Sequence, residues 1–370
     1  MAVRLLVVGD LHIKKTNLSD IQTLLIRILK VIKNTNPDAI VLLGDTLHTH
    51  ERINMDALSK ATYFLKNLTK VITVFLLIGN HDRVNNSDFL SSKHPFEALR
   101  YWNNIFIIDK PRAFLIGGDR FIFVPYVQTG RFQEALDTLK EESKGKTEVR
   151  FIFANQEFKG VQMGPIKSIK GDSWDLDKPL VISGHIHDYQ VLQKNIVYVG
   201  TPYMSKYGEK DNKVIMLATF NEKKKDGEGE KKTEKNSEKE NNIVNDDKNG
   251  KKDSDNKEED GDGYKLELID LKMPKKKIIH LKPEELKSFN YDGDDEIKIK
   301  VIGDIAALKS ISKSDKLDEL SSQGINIMFK TNNKFNKNNI VQKSYVDIFK
   351  DLVKDDKYKL KVLNEILTEI

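Results

Sequence analysis

Four short polar motifs carry the chemistry open to this sequence: Gly9-Asp10-Leu11-His12, Gly44-Asp45-Thr46-Leu47-His48, Gly79-Asn80-His81-Asp82 and Gly184-His185-Ile186-His187-Asp188. Asp-x-His and His-x-His can each send two ligands from an extended loop to a common centre. Carboxylate, imidazole and amide oxygen together suit Mn, Fe or Zn rather than Ca. Asp45 stands alone between two such sets and could bridge two ions. Two divalent ions roughly 3.5–4 Å apart can polarise a phosphoryl group and generate hydroxide for in-line attack. Taken singly, a Gly-Asp after a strand is commonly a turn or a helix cap, and a lone His is more often structural than ligating. Four such motifs, each behind an apolar run, exceed what turn chemistry explains.

The apolar runs supply the frame. Residues 4–9 (RLLVVG), 39–44 (AIVLLG) and 71–78 (VITVFLLI) read as buried strands that end at Asp10, Asp45 and the Gly79-Asn80 pair. Between them, residues 21–32, with Ser19 as N-cap, and residues 56–68 have helical periodicity. β-Branched runs alternating with helices predict an α/β fold with a largely parallel sheet covered on both faces. Runs at 113–116, 121–124, 149–153, 180–182, 196–199 and 214–220 have few helices between them and predict a second sheet packed on the first. Loops after the carboxyl ends of strands form the ligand crevice of such sheets, so the motifs should meet at one rim. The glycine heading each motif lets the backbone turn sharply and approach closely.

Composition narrows the classes. The 370 residues contain no cysteine, which excludes disulfides and thiolate metal sites and leaves His, Asp, Glu and Asn as ligands. No apolar run reaches the roughly 18–20 residues that a membrane helix needs. No signal peptide is expected, which predicts an intracellular protein, cytoplasmic or nuclear. Residues 221–263 hold 11 Lys against 15 Asp and Glu; that net of −4 within a chain of +5 leaves +9 elsewhere. Such a body draws polyanions, although the same balance also serves ordinary solubility.

The 221–263 segment has almost no aliphatic residues and is expected to be a disordered insertion at a hairpin tip. A return strand and linker at 264–280 and a small α/β unit at 281–333 should follow, built on a strand at 296–302, a helix at 316–322 and a strand at 325–330. Beyond an Asn/Lys-rich linker, residues 340–370 carry an amphipathic helical pattern with one apolar stripe.

In this order the four motifs resemble those of the calcineurin-like metallophosphoesterases, over about residues 1–220. The resemblance implies a two-sheet β-sandwich flanked by helices. It implies that Asp10, His12, Asp45 and His187 hold one metal and that Asp45, Asn80 and His185 hold the other. It also implies that His81 contacts the scissile phosphate and helps protonate the leaving oxygen. One position departs: the family supplies a further His to the second metal, and Asn155 stands at the matching strand end. An amide oxygen is a weaker donor than imidazole, so the second metal should bind less tightly and activity should be reduced.

His48, three residues after Asp45, completes a Gly-Asp-x-x-His that resembles the SbcD-type DNA double-strand-break nucleases, where this His helps place the DNA phosphate. The Asp-Arg-Gly of the superfamily's protein phosphatases is absent. The small α/β unit resembles the nucleases' DNA-capping domain. The final amphipathic stretch resembles the helices that dock on their coiled-coil, SMC-like ABC-type ATPase. These likenesses imply a manganese-dependent DNA exonuclease and endonuclease of a repair or recombination complex, acting as a homodimer, with Fe, Zn or Mg as other candidate metals. Two alternatives stay open: a stand-alone phosphodiesterase or nucleotide phosphatase, and a DNA-binding subunit weakened at Asn155. The Asn/Lys richness and the polar insertion suggest an AT-rich genome, viral or protist.

Overall fold

The computed structural model describes residues 2–50, 52–139, 148–221, 263–312 and 314–332. The predicted disordered insertion, apart from its two end residues, and the predicted docking stretch at 340–370 lie outside the described residues. Strand β1 (Val3–Val8) leads to helix α1 (Leu18–Thr35), β2 (Ala39–Leu42), α2 (Met55–Thr69), β3 (Thr73–Leu77) and β4 (Ile105–Ile108). Next come β5 (Arg112–Ile116), β6 (Asp119–Val124), α3 (Phe132–Asp137) and β7 (Val149–Asn155). A small hairpin, β8 (Gln162–Met163) and β9 (Ile166–Lys167), precedes β10 (Leu180–Gly184), β11 (Gln190–Gln193) and β12 (Ile196–Tyr198). Strands β13 (Ile215–Phe220), β14 (Tyr264–Ile269) and β15 (Lys276–Leu281) lead into α4 (Pro283–Ser288), β16 (Glu296–Gly303), α5 (Ile305–Ile311), α6 (Asp315–Ser322) and β17 (Asn326–Thr331).

Two six-stranded sheets form the body, in the orders β14-β13-β1-β2-β3-β4 and β11-β12-β10-β7-β6-β5. Strands β1 to β4 run parallel, in register Leu5↔Ala39, Ala39↔Thr73 and Val74↔Ile105. In the second sheet β12, β10, β7 and β6 run parallel to one another, with β11 and β5 antiparallel at the two edges, and Gly184 lies beside Asn155. One expectation is corrected. The run at 214–220, assigned above to the second sheet, pairs antiparallel with β1 through Val3↔Phe220 and carries β14 on its outer side. The hairpin covers the β1 edge that β2 leaves open, where unpaired N–H and C=O groups would otherwise remain. An apolar run reports burial, not which sheet buries it.

A second correction concerns the start of α1. Asn17, not Ser19, is the N-cap residue, and its side chain does not cap the helix. It turns instead toward the loop after β1, donating to His12 O at 3.0 Å and to the Tyr203 hydroxyl at 2.7 Å. Helix α2 has an ordinary cap, with Asn54 Oδ1 accepting from Ala57 N at 3.1 Å.

Strand alternation divides the core into layers. Leu6 and Val8 of β1 pack with Ile21, Leu24 and Ile28 of α1 and with Phe64 and Leu68 of α2. Leu5 and Val7 point the other way, into a layer between the sheets with Phe75, Leu77, Phe123, Phe153 and Ile182. There the ring of Phe75 stacks on Phe123 at 4.5 Å between centroids, and Phe123 stacks on Phe153 at 5.2 Å. The outer face of the second sheet is covered by Phe132, Phe158 and Trp174.

The described residues divide into two compact units, the first running to Ile278 with Asp292–Ile297, the second covering Ile279–Tyr291 and the described residues from Lys298 to 332. In the second unit β16 and β17 run parallel, with Ile299↔Ile327 in register, and Leu286, Ile299, Val301, Leu308 and Leu320 are buried. Asp304 Oδ1 caps α5 by accepting from Ala307 N at 2.8 Å. Among the described residues no helix is long and apolar enough to cross a membrane.

Truncating the middle of the inter-sheet ring stack should be expensive. Phe123→Ala is expected to lower stability by about 3–5 kcal/mol in urea unfolding. Leu115→Ala, at an exposed position of β5, is expected to change it by no more than about 0.5 kcal/mol.

Candidate metal centre

Five strand ends feed one rim. Asp10 and His12 follow β1, Asp45 and His48 follow β2, and Asn80, His81 and Asp82 follow β3. From the second sheet, Asn155 ends β7, and His185 and His187 follow β10. His12 Nε2 lies 2.8 Å from His187 Nε2, and His12 Nδ1 lies 3.4 Å from His48 Nδ1. His185 Nδ1 lies 2.9 Å from the Asn80 amide oxygen. Ligand atoms of Asp10, His12 and His187 all lie within 4.8 Å of one another, as do those of His12, His48 and His81. The Asn80 amide reaches both Asp45 carboxylate oxygens, at 2.9 and 3.2 Å. Asn155 is fully buried beside Gly44, its Nδ2 donating to Leu43 O at 2.9 Å.

The backbone is bent to achieve this. His12, Asp45 and His185 have φ of 45°, 48° and 77°, the left-handed region that costs a non-glycine residue roughly 1–2 kcal/mol. Hydrogen bonds among the loops hold them there. His12 N donates to Asp45 O at 2.9 Å, His81 N to Asp45 Oδ1 at 2.8 Å, and His185 N to Asp10 Oδ1 at 3.0 Å. Gly44 sits at φ 107°, and a Cβ on Gly79 would lie 2.2 Å from Asp45 Oδ1, so neither position accepts a side chain.

Several positioning residues were not legible in the sequence. The buried Asp82 carboxylate accepts from Leu47 N at 2.8 Å and from Thr46 N and Gly79 N at 3.1 Å, tying the loop after β2 to the loop after β3. It stands in the Gly-Asn-His-Asp motif, but nothing in that spacing announces this role. Asn17 and Tyr203 brace the first loop, with the Tyr203 hydroxyl donating to Leu11 O at 2.6 Å. Lys213 Nζ donates to His187 O at 2.9 Å, which braces the fourth loop.

The electrostatics of the rim are those of a cluster short of cations. Burial, reinforced by Asp45, raises Asp10 well above the usual carboxylate range. Burial raises Asp45 to about 7, and burial with the Asp45 charge raises Asp82 to about 7. The imidazoles move the opposite way. Burial and then His187 lower His12 well below its usual value; burial, with smaller contributions from Lys14 and from His81, lowers His48 and His185 respectively to about 4. Acceptors are also left over: Asp10 Oδ2 and Asn155 Oδ1 are buried without a partner. The Asn80 amide oxygen faces the Asp45 carboxylate and His185 Nδ1, acceptors that a turned amide would instead satisfy as a donor. Divalent cations would serve all of these groups as acceptors at once and restore both carboxylates and neutral imidazoles to favourable states. The residues therefore fit two ions: one among Asp10, His12, Asp45 and His187, the other among Asp45, Asn80, His185 and the free Asn155 oxygen.

A third group of possible ligands, His94, Glu97 and Asp109, is already served by a cation, since Arg100 lies 2.8 Å from both carboxylates. His48 and His81 stand at the mouth of the centre with rings stacked 5.6 Å apart and 5° from parallel. His81 Nδ1 lies 2.6 Å from the carbonyl oxygen of His48, which can only accept, so Nδ1 carries the proton and Nε2 is left for a ligand.

This chain is similar to known proteins. The family profile of calcineurin-like phosphoesterases matches residues 3–189. The protein named "Putative phosphoesterase 244L" of Invertebrate iridescent virus 6 is 42% identical over 219 residues, covering 59% of this chain and 77% of that protein. "Putative phosphoesterase 078R" of Invertebrate iridescent virus 3 is 39% identical over 220 residues, covering 59% of this chain and 63% of that protein. Among solved structures, GAP50, described as the anchor in the inner membrane complex of Plasmodium, is 18% identical with a TM-score of 0.37, covering 61% of this chain and 86% of that one.

Two outcomes follow from this geometry. Asp45 in the metal-free chain titrates at about 7, and ligation needs its ionised form, so uptake of an ion expels protons below that pH. Affinity for Mn2+ is expected to climb as pH rises through about 7, where the raised Asp45 and Asp10 carboxyls ionise, with no separate rise near the ordinary histidine value of 6.5, because burial holds the imidazoles neutral already. Calorimetric titration across pH measures this. Asp82→Asn is expected to weaken Mn2+ binding by roughly 10–100-fold, as loss of an outer-shell partner does, and a circular-dichroism spectrum like that of the parent would exclude global unfolding.

Proposed function

The chain belongs to the calcineurin-like phosphoesterase family and is a metal-dependent phosphoesterase, and from that premise we propose that its substrates are phosphodiesters. The observation that carries this reading is Asp45, whose carboxylate lies within reach of the Asn80 amide and accepts from His81 N, and whose backbone carbonyl accepts from His12 N across the rim. A bound pair of divalent ions would supply Lewis-acid polarisation of a phosphoryl oxygen and a water acidic enough to ionise near neutral pH. The rest falls to side chains. Asp45 and Asn80 hold the two halves of the centre at a fixed separation. His81, oriented by its Nδ1–H bond to His48 O, directs Nε2 toward the substrate phosphoryl group. Burial keeps that imidazole neutral in the free protein. The negative charge of an arriving phosphate favours its protonated form, which can pass the proton to the departing oxygen.

DNA is the specific diester we favour, on two observations. His48 lies 3.4 Å from His12, beside the ligands, where it can hold a second non-bridging oxygen. The chain outside residues 221–263 carries a net +9, which attracts a polyanion. A homodimer and a coiled-coil ATPase partner are part of the same proposal. Hydrolysis of small diesters by a stand-alone phosphodiesterase, or of monoesters by a nucleotide phosphatase, is the second reading, consistent with phosphoesterase as the description of both viral relatives.

Purified chain with Mn2+, assayed against bis-p-nitrophenyl phosphate, p-nitrophenyl phosphate and labelled linear DNA, is expected to cleave both diesters in preference to the monoester and to lose activity in EDTA. Preference for the monoester would overturn the diester reading; cleavage of the small diester with intact DNA would leave the stand-alone reading. Asp45→Ala and His185→Ala are each expected to reduce diester hydrolysis about a hundredfold or more, and full retained activity in either would remove the centre from the reaction. Asn155→His is expected to tighten binding of the second ion, read as metal content after dialysis.

A further inference from the structure

Two cavities flank the mouth of the metal centre, and nothing above uses them. One, of about 230 Å3, is fronted by His81 and lined further by Val84, Lys93 and Pro95. The other, of about 270 Å3, is fronted by His48 and lined further by Ile13, Lys14, Thr16 and Ala57. They share one wall, formed by Leu47, Thr49 and Ile53. The His48 and His81 rings are nearly parallel, and each lines its own cavity while His48 stays 3.4 Å from His12. The floors are carbon: Ile13, Leu47 and Ala57 are buried, and Ile53 and Val84 expose aliphatic surface at the mouths.

A phosphodiester has two organic substituents and a monoester has one. A centre with a single apolar recess could serve either. Two adjoining recesses, one lined by His81 and the other by His48, match two substituents leaving one phosphorus. Their size selects what enters. Each is smaller than the roughly 300–1,000 Å3 of a site for a whole drug-sized ligand, so each holds a single flat ring system rather than a nucleotide. Carbon walls with stacking surfaces favour planar unsaturated rings over sugars or alkyl ammonium groups. Lys14 at one mouth and Lys93 at the other stand where the chain leading away from each ring would carry its next anionic group.

We propose that these two cavities are the subsites for the two ring-bearing substituents of a phosphodiester, the kind of linkage that joins two nucleosides, and that they set the preference of the centre for such diesters. This rests on the diester reading above. The recesses grip rings on either side of the scissile phosphate, so their contribution appears as discrimination between diesters that differ only in the second substituent.

The test uses the full chain with Mn2+ and two probes, bis-p-nitrophenyl phosphate and methyl p-nitrophenyl phosphate. The parent is expected to favour the diaryl ester in kcat/KM by tenfold or more after correction for the two reactive ends. Thr16→Trp fills one cavity from an exposed position and Val84→Trp fills the other. Each is expected to lower kcat/KM for the diaryl ester by tenfold or more, with unchanged Mn2+ content and Tm. The variant that blocks the non-leaving substituent is expected to bring the diaryl-to-methyl ratio close to one. Diaryl kcat/KM within twofold of the parent in both variants overturns the subsites while leaving the diester reading intact. A parent that hydrolyses neither diester, yet cleaves p-nitrophenyl phosphate, overturns both.

Discussion

Taking Asp10 and Asp45 out of water is the constraint on which the rest of the rim depends. A buried carboxylate is expensive unless donors or cations surround it. Here the donors are few: His81 N and His185 N from the loop backbones, with the Asn155 side chain beside Asp45. Burial consequently lifts Asp45 to about 7. The imidazoles that share the space are pushed the other way, because no uncompensated cation is tolerated there either. The protein holds a set of groups that are each uncomfortable alone and that two divalent ions would satisfy together. Cation binding and loop order are thereby the same event, since the carboxylates that would ligate are also the acceptors that pin the loops.

That dependence explains the placement of glycine and of strain. The loop after β2 must bring Asp45 against the loop after β3, and no Cβ fits between them at Gly79. Asp82 then fastens the two loops by accepting three backbone N–H groups. The left-handed conformations of His12, Asp45 and His185 persist because each has a hydrogen bond from or to a neighbouring loop. Local preference loses to a network that over-determines the positions.

The site was far more legible in the sequence than the frame around it. Strand-Gly-Asp and Gly-His-x-His signals survive without an alignment because four of them recur, each directly behind an apolar strand, which turn chemistry alone does not explain. Asp10, His12, Asp45, Asn80, His185 and His187 do gather at one rim, with His48, His81 and Asn155 against them. What could not be read depends on contacts distant along the chain. The partner of β13 is decided by which edge β1 leaves open. Asn17 leaves its helix to support His12 because Tyr203, from the far end of the domain, meets it there. Four-residue β4 is too short for its period to register, and the short helices α4 and α5 of the second unit depend on packing against each other, and of α5 against β17, more than on propensity.

The rim is assembled from two sheets, and this gives the aromatic layer between them a duty beyond cohesion. Asp10, Asp45 and Asn80 ride on one sheet and His185 and His187 on the other, so the distance between the two groups of candidate ligands is gauged by the thickness of what lies between the sheets. The stack of Phe75, Phe123 and Phe153 is that spacer. A thinner or thicker filling would detune the separation of the ions without touching a single ligand. Drift in these phenylalanines is therefore a route by which selection can adjust the reactivity of the centre from deep inside the molecule.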